Sequence, residues 1–282
     1  MADNYKILND AALTALDRGE FDNAQDGFRS NAKRFPNGCT LNNLGVFYCT
    51  CGMRQRNGKL VSAWKIGLKY LLKAAAIDKN AVIYGNVGMA LFKQNMFIEA
   101  FNYFSEARSL HCNCLFTYNM AVCKYMSGSY DEAKELLSLV LDKASADCIL
   151  NACGSHPIFP FCFSIISLGL PTKLAEEAIY PFIDELHNTN EVYDLFMLLF
   201  TLGNYKEAWS CVELLVSCWT IDKQVGAKIC KCAEQVGAEA DIKKLKENGF
   251  VGGDSENIVP KQICISDYKY IPACATIEPW LN

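Results

Sequence analysis

Cysteines and histidines are the side chains whose types could do chemistry in this chain of 282 residues, which contains 15 cysteines and 3 histidines. Three pairs of cysteines are each separated by a single residue. On a helix that spacing turns the two thiols roughly 200° apart, so they cannot chelate one ion together. The pairs are Cys49 with Cys51, Cys112 with Cys114, and Cys230 with Cys232.

The densest cluster of candidate ligands and nucleophiles is Cys148, Cys153, His156 and Cys162. It lacks the paired short spacings of zinc modules. Cys153 and His156 are the closest thiol and base in sequence, but no orienting group or oxyanion motif accompanies them. Neither standard glycine-rich phosphate loop occurs. We therefore predict no metal, no cofactor and no enzymatic activity, and we interpret the cysteines as small buried hydrophobes.

Composition restricts the class of partner. Hydrophobic residues make up 51% of the chain and charged residues 21%, with a net charge of −4. The hydrophobic content is sufficient for a core of ordinary size. The charge balance argues against nucleic acid or an anionic membrane as the partner, because either would require a clustered basic surface. The N-terminus is polar and unlike a signal peptide, and the most apolar stretch, residues 157–171, is interrupted by prolines and too short for a bilayer. We expect a soluble cytoplasmic protein in which disulfides are disfavoured.

An internal repeat gives the strongest structural signal. The same residue types recur about 33 positions apart in residues 81–112 and 114–147. Hydrophobic residues at three- and four-residue spacing mark each segment as helical. The pattern predicts helix hairpins that bury their apolar stripes by stacking on one another. Matched positions include Gly88 with Ala121, Asn95 near Gly128, Phe97 with Tyr130, Ala100 with Ala133, and Phe104 with Leu137.

These positions resemble the tetratricopeptide repeat family. A small residue in the first helix, a glycine–aromatic turn and a small–large–small series in the second helix occur in that order. The match is best over residues 5–147 and returns over 191–219. The resemblance implies an all-α fold, a right-handed solenoid of antiparallel helix hairpins with a short non-helical C-terminal tail. It also implies a protein that holds another polypeptide.

The predicted organisation is not uniform along the chain. We expect four hairpins over residues 1–147, with an expanded loop at 49–62. A degenerate hairpin follows at 148–188, then a hairpin with capping helices at 189–249. Residues 250–282 form an extended tail, for which two interpretations are open. The tail either occupies a groove of its own solenoid, or packs over the last hairpin or is disordered; the latter is favoured.

Three asparagines are the candidate binding residues. In the family that the sequence resembles, the first helices line the concave face, and Asn43, Asn86 and Asn119 each lie two residues before the small residue of a first helix. An amide offers both a donor and an acceptor to an extended peptide backbone. The resemblance therefore implies an asparagine ladder that grips a peptide. The alternative is that these amides are merely solvated on the inner helix face.

The neighbours of the asparagines predict a mostly apolar groove with aromatic edges. Such a groove suits a neutral or hydrophobic peptide, although side chains of this kind also commonly pack between helices. We thus predict a peptide-binding scaffold, with a sensor or regulatory domain for a small peptide as the alternative. A cysteine-based metal protein or an enzyme is disfavoured. The predicted groove residues are Val82, Met89, Phe92, Tyr118, Val122 and Tyr125.

Overall fold

The structure is a computed structural model that describes residues 4–54, 60–61, 63–186, 191–218, 221 and 223–247. The described chain divides into two compact units. The first ends at Cys153 and the second begins at Gly154. The predicted tail, residues 250–282, lies outside the described residues, as do the tip of the expanded loop and residues 187–190.

Paired helices build the first unit. Within each pair the two helices pack as a hairpin, and each second helix also packs on the first helix of the next pair. A ninth helix, α9, packs on α7. The helices are α1 Asn4–Asp17, α2 Phe21–Arg34, α3 Gly38–Thr50, α4 Trp64–Ile77, α5 Ala81–Phe92, α6 Phe97–Leu110, α7 Cys114–Met126, α8 Tyr130–Ser138 and α9 Lys143–Cys153.

Asparagines begin three of the first helices. Asn80 and Asn113 each accept a 2.8 Å hydrogen bond from the backbone N–H two residues ahead. Asn37 forms a capping box with Thr40, in which each side chain bonds the backbone N–H of the other. These bonds satisfy donors that the helix itself leaves unpaired and so fix where α3, α5 and α7 begin.

The expanded loop joins α3 to α4. Its described part contains two short antiparallel strands, β1 Met53–Arg54 and β2 Leu60–Val61. Met53 pairs with Val61 and Arg54 with Leu60. The loop therefore leaves α3 and returns to α4 as a small hairpin, which lengthens the second repeat without disturbing the packing of its two helices.

Glycines set how closely the helices approach. A Cβ atom at Gly67 would lie 2.4 Å from the sulfur of Cys49 and 2.6 Å from the carbonyl oxygen of Gly45. At Gly88 it would lie 2.8 Å from the ring of Phe104. Any larger residue at either position would push these helices apart.

First and second helices differ sharply in burial. Every residue is buried at positions 40–49 of α3, 85–92 of α5 and 115–123 of α7. Helix α6, in contrast, buries only Ala100, Phe104 and Ala107. A helix that is apolar on all sides is a core helix. In the second, third and fourth pairs the second helices are therefore more accessible than the first helices.

Of the range predicted as a degenerate hairpin, 148–188, residues 148–153 belong to α9 of the first unit and residues 154–186 to the second unit. Helix α9 ends at Cys153, and α10 begins at Ile158, directly after Pro157. Pro160 lies inside the first turn of α10, where a missing backbone N–H costs little. The helices are α10 Ile158–Ser167, α11 Thr172–Ile179, α12 Ile183–Leu186, α13 Val192–Leu202, α14 Tyr205–Ser210, α15 Val212–Cys218, α16 Lys223–Val236 and α17 Glu239–Glu247, with a 3-10 turn at Tyr180–Phe182.

Among the described residues, no single helix is both long and apolar enough to cross a membrane. Helices α9 and α10 reach that length and composition only when the two are taken together across the break between them.

Candidate binding surface of the first unit

Two of the three predicted ladder residues, Asn43 and Asn86, belong to a buried chain of amides. The Nδ2 atom of Asn86 donates a 3.0 Å hydrogen bond to Oδ1 of Asn42. Asn42 donates to Oδ1 of Asn43 over 3.0 Å, and Asn43 donates to Oδ1 of Asn9 over 2.8 Å. Three first helices, α5, α3 and α1, are thereby linked through their side chains.

Burial changes the interpretation of these amides. Asn43 and Asn119 are 0% exposed and Asn86 is 5% exposed. A side chain with no accessible surface cannot contact a peptide unless the surrounding residues move, and a buried amide must find its hydrogen bonds inside the protein. The expectation that all three are presented on an open inner face is therefore wrong for this conformation. Their geometry is that of structural residues.

Two of the predicted groove aromatics close hairpin turns instead. The rings of Phe92 and Phe97 meet edge to face, with centroids 5.3 Å apart. Tyr125 and Tyr130 form the same pair one repeat later, at 5.4 Å. Each pair joins the end of a first helix to the start of its second helix. Phe92 and Tyr125 are buried in these contacts, because the turn brings the two rings together.

The other predicted groove residues belong mainly to the interior. Met89, Tyr118 and Val122 are buried, whereas Val82 is half-buried in the first turn of α5. Tyr118 and Val122 lie in the stretch of α7 that is buried on all sides. Apart from Val82, the predicted groove residues are therefore covered in the folded chain.

A different recess lies on the first unit, between the second helices α2 and α4. It has a volume of about 660 Å³. Leu41 and Leu44 of α3 form its floor and are buried. Tyr70 and Ile77 of α4 line one side, and Ile77 is 58% exposed. The recess therefore offers apolar surface that a partner can reach.

Basic side chains surround this recess, which we call the α2–α4 cleft. Arg29 and Lys33 come from α2 and Lys73 from α4. Among the described residues that line the cleft, none carries a carboxylate. An apolar floor inside a cationic rim attracts a ligand that is apolar at its centre and anionic at its edges.

Two aromatic rings hold part of the rim in place. The ammonium group of Lys73 lies 5.7 Å from the centroid of the Tyr70 ring, and Tyr70 packs on Tyr48 at 5.8 Å. Burial raises the pKa of Tyr48, and the charge and hydrogen bond of Arg29 offset part of that rise. Because both cations contact aromatic side chains, their charged groups are partly ordered before any ligand arrives.

Sequence reasoning missed the α2–α4 cleft, although a signal was present. Arg29 and Lys33 are four residues apart on one amphipathic helix, and Lys69 and Lys73 repeat that spacing on the next second helix. Two basic i,i+4 pairs on successive second helices point to a shared positive surface. The search for a site on the first helices passed over them.

Cys153 and His156 each form a hydrogen bond with a nearby backbone group. Cys153 donates to the carbonyl of Ile149 at 2.9 Å within α9. His156, in the second unit, is buried; its Nδ1 accepts from the N–H of Ile158 at 3.1 Å and its ring packs on Phe182. Within the described ranges, no three His, Cys, Asp or Glu side chains form a group that could hold a metal ion.

Solved structures with a similar fold are known. MamA aligns with 66% of this chain and 93% of its own length, at 19% identity and a TM-score of 0.54. A tetratricopeptide repeat protein from Parabacteroides merdae ATCC 43184 aligns with 89% of this chain and 94% of its own, at 16% identity and a TM-score of 0.57. No protein-family model and no curated protein matches the sequence. At these identities the likeness concerns the fold alone, and this chain has the tetratricopeptide-like helical-repeat fold.

Proposed function

We propose that this chain is a non-catalytic scaffold that holds a segment of a partner protein on the surface of its first unit. The α2–α4 cleft carries the proposal, because it combines an accessible apolar recess with a cationic rim. The burial pattern supports it too, because in the second, third and fourth pairs the first helices are mostly buried and the second helices are mostly accessible.

The partner segment that fits the α2–α4 cleft has an apolar side chain flanked by aspartate or glutamate. The apolar side chain would displace water from Ile77 and Tyr70, the accessible apolar residues of the cleft, which is favourable in proportion to the area covered. The flanking carboxylates would meet Arg29, Lys33 and Lys73 as charge-assisted hydrogen bonds. This chemistry differs from the neutral peptide predicted for the first helices, because it uses side chains that are accessible.

An extended peptide along the first helices stays a prediction. It would require the face that contains Asn43, Asn86 and Asn119 to open, which exposes buried apolar surface and breaks the amide chain. Binding at the α2–α4 cleft requires no such opening, so it should be the faster and less temperature-sensitive of the two modes.

Fluorescence anisotropy tests the proposal with three short labelled peptides. The first has a central Leu-Phe flanked by glutamates, the second has the same centre flanked by lysines, and the third replaces the centre by Gly-Gly. We expect the full-length protein to bind the first peptide in preference to the other two. Binding should weaken as salt is added, because the rim charges are exposed.

Charge reversal locates the site. The variant Lys33→Glu with Lys73→Glu should weaken binding of the glutamate peptide about tenfold. Lys65→Glu with Lys206→Glu is the matched control, since it makes the same charge change at two exposed lysines, on α4 and α14, that lie outside the cleft lining. Equal loss in the two variants, or equal binding of all three peptides, would show that the cleft is not the binding site.

A further inference from the structure

The C-terminal residues of this chain match the chemistry of the α2–α4 cleft. The sequence of residues 270–282 is YIPACATIEPWLN, which contains no lysine or arginine. Its last part carries Ile277, Trp280 and Leu281 around Glu278, the one charged residue of the stretch. The segment therefore combines large apolar side chains with a carboxylate, and it has no cation that the basic rim of the cleft would repel.

The cleft offers contacts for each of these side chains. Its volume of about 660 Å³ lies within the range of roughly 300–1,000 Å³ that ligand pockets span. Tyr70 and Ile77 are its accessible apolar residues, and an indole or aliphatic side chain that covers them removes apolar area from water. Arg29 and Lys33 are exposed on α2. Such cations bind a carboxylate by charge-assisted hydrogen bonds and the face of a tryptophan ring by cation–π attraction, so one rim serves both groups of the segment.

Proline lowers the entropic cost of binding this segment. Pro279 fixes its own φ angle and disfavours the helical conformation at Glu278, so the free segment already prefers extended backbone. Less conformational freedom is then lost when the segment binds. Trp280 supplies the kind of side chain that is enriched among the residues that dominate binding energy.

The connection to the segment is long. The last described residue is Glu247, and residues 248–275 follow it before the segment begins. A chain of that length spans up to about 95 Å when it is extended. This span is more than twice the diameter of about 40 Å expected for a compact domain of some 150 residues. The length of the connection therefore allows the segment to reach the first unit of its own chain.

We propose that residues 276–282 occupy the α2–α4 cleft of their own chain until a partner segment displaces them. This proposal rests on the proposed function, because it concerns the same cleft, and it adds an autoinhibitory occupant to it. Of the two interpretations that the sequence leaves open for the tail, it takes the one in which the tail occupies a groove of its own solenoid. The groove is the cleft between the second helices and not the face of the first helices.

A tethered segment inhibits even when its intrinsic affinity is weak. A flexible connection gives it an effective concentration of about 1 mM at the cleft. With an intrinsic Kd of about 0.1 mM, the segment would fill the cleft in roughly ten molecules of every eleven. A partner peptide binds only the open fraction, so its apparent affinity would be about tenfold lower than that of the open cleft.

Anisotropy of the labelled glutamate peptide tests the proposal on the full-length protein. Trp280→Ser removes the largest side chain of the segment and should tighten peptide binding about tenfold. Glu278→Lys should act in the same direction, because it places a positive charge against the basic rim. Tyr268→Ser changes an aromatic residue of the same tail outside the segment, and it should leave the affinity unchanged.

The outcomes separate this proposal from the proposed function. Equal affinity of the unaltered protein, Trp280→Ser and Glu278→Lys, with binding still weakened by Lys33→Glu with Lys73→Glu, would overturn occupation by the tail and leave the cleft as the partner site. Absence of peptide binding in all of these proteins would overturn both proposals, since the tail variants leave the cleft open.

Photo-cross-linking gives a readout that does not depend on the affinity of a partner. With p-benzoylphenylalanine in place of Trp280, irradiation should join the tail to peptides of α2 or α4 that line the cleft. In an equal mixture of unlabelled and isotope-labelled protein, each joined product should carry a single isotope, because the tail binds its own chain. Products of mixed isotope would assign the tail to the cleft of a second copy, and products that contain neither α2 nor α4 would place it elsewhere; either result overturns the proposal.

Discussion

Asn43 donates a 2.8 Å hydrogen bond to Oδ1 of Asn9, and this bond joins α3 to α1 inside the first unit. The same residue accepts from Asn42, which in turn accepts from Asn86 of α5. Hydrogen bonds in such a series polarise one another, and the surrounding low dielectric strengthens each of them. The amides therefore contribute to how consecutive hairpins stack.

Replacing Asn43 by alanine should destabilise the protein. The change removes a donor to Asn9 and an acceptor for Asn42 inside the core, so the free energy of unfolding should fall by about 1–3 kcal/mol. Urea denaturation followed by circular dichroism measures the loss. Asn102→Ala, at an exposed position of α6, is the matched control and should stay within about 0.5 kcal/mol of the unaltered protein. Unchanged stability of Asn43→Ala together with lost peptide binding would favour the peptide-gripping ladder instead.

Gly67→Ala should also be destabilising, although alanine favours a helix by about 1 kcal/mol over glycine. The new methyl group would overlap Cys49 and the Gly45 carbonyl, so α4 must move away from α3. We expect a net loss of about 1–3 kcal/mol in the same urea experiment. Lys69→Ala, at an exposed position of the same helix, should show no such loss. A gain in stability from Gly67→Ala would mean that the two helices are less tightly packed than described.

The aromatic pair at the turn between α7 and α8 should be energetically coupled. A double-mutant cycle with Tyr125→Leu and Tyr130→Leu isolates the edge-to-face contact from the burial of each ring. We expect a coupling free energy of about 0.5–1.5 kcal/mol. Additive losses in the double variant would indicate that the rings are neighbours without a favourable mutual interaction.

Alkaline pH should unfold the protein. Burial raises the pKa of Cys49, Cys123 and Cys211 from 9.0 to about 12 each. The folded chain keeps these thiols neutral, whereas the unfolded chain ionises them above pH 9. Their effect on stability is therefore absent below that pH, and stability falls as the pH rises from 9 toward 12.

Urea midpoints measured from neutral pH to pH 11 would reveal this loss. Each such thiol contributes a slope of up to about 1.4 kcal/mol per pH unit within the window. Cys123→Ala should be less stable at neutral pH, since it leaves a cavity, but its decline above pH 9 should be shallower. A decline of equal steepness in both proteins would assign the alkaline unfolding to other groups.

The helix hairpins were predictable because their signals are local. Gly128 and Gly203 end first helices with positive φ angles of 82°, and Asn95 holds the equivalent place in its repeat at 61°. Glycine and asparagine are the residues that tolerate this conformation. A glycine or asparagine two residues before an aromatic residue therefore predicts each turn from the local sequence alone.

The candidate site was harder to predict, because periodicity gives the side of a helix and not what covers that side. Asparagine is usually exposed, and both interpretations of the ladder, peptide-gripping or merely solvated, assumed accessible amides. One local signal pointed the other way. Asn42 and Asn43 are adjacent in a stretch of α3 that is otherwise almost wholly apolar, and two amides in such a stretch can bond each other inside a core. The α2–α4 cleft could be recognised only from the tertiary structure, since its rim comes from two different helices.

The amide chain has a direction, from Asn86 through Asn42 and Asn43 to Asn9, and each helix makes a distinct contribution to it. The position equivalent to Asn42 in the third repeat is Gly85, which has no side chain to continue the series. The first three hairpins are therefore not interchangeable. Duplicating, deleting or shuffling one of them would change the neighbours of these buried amides, and each amide that lost its partner would lower the stability of the array.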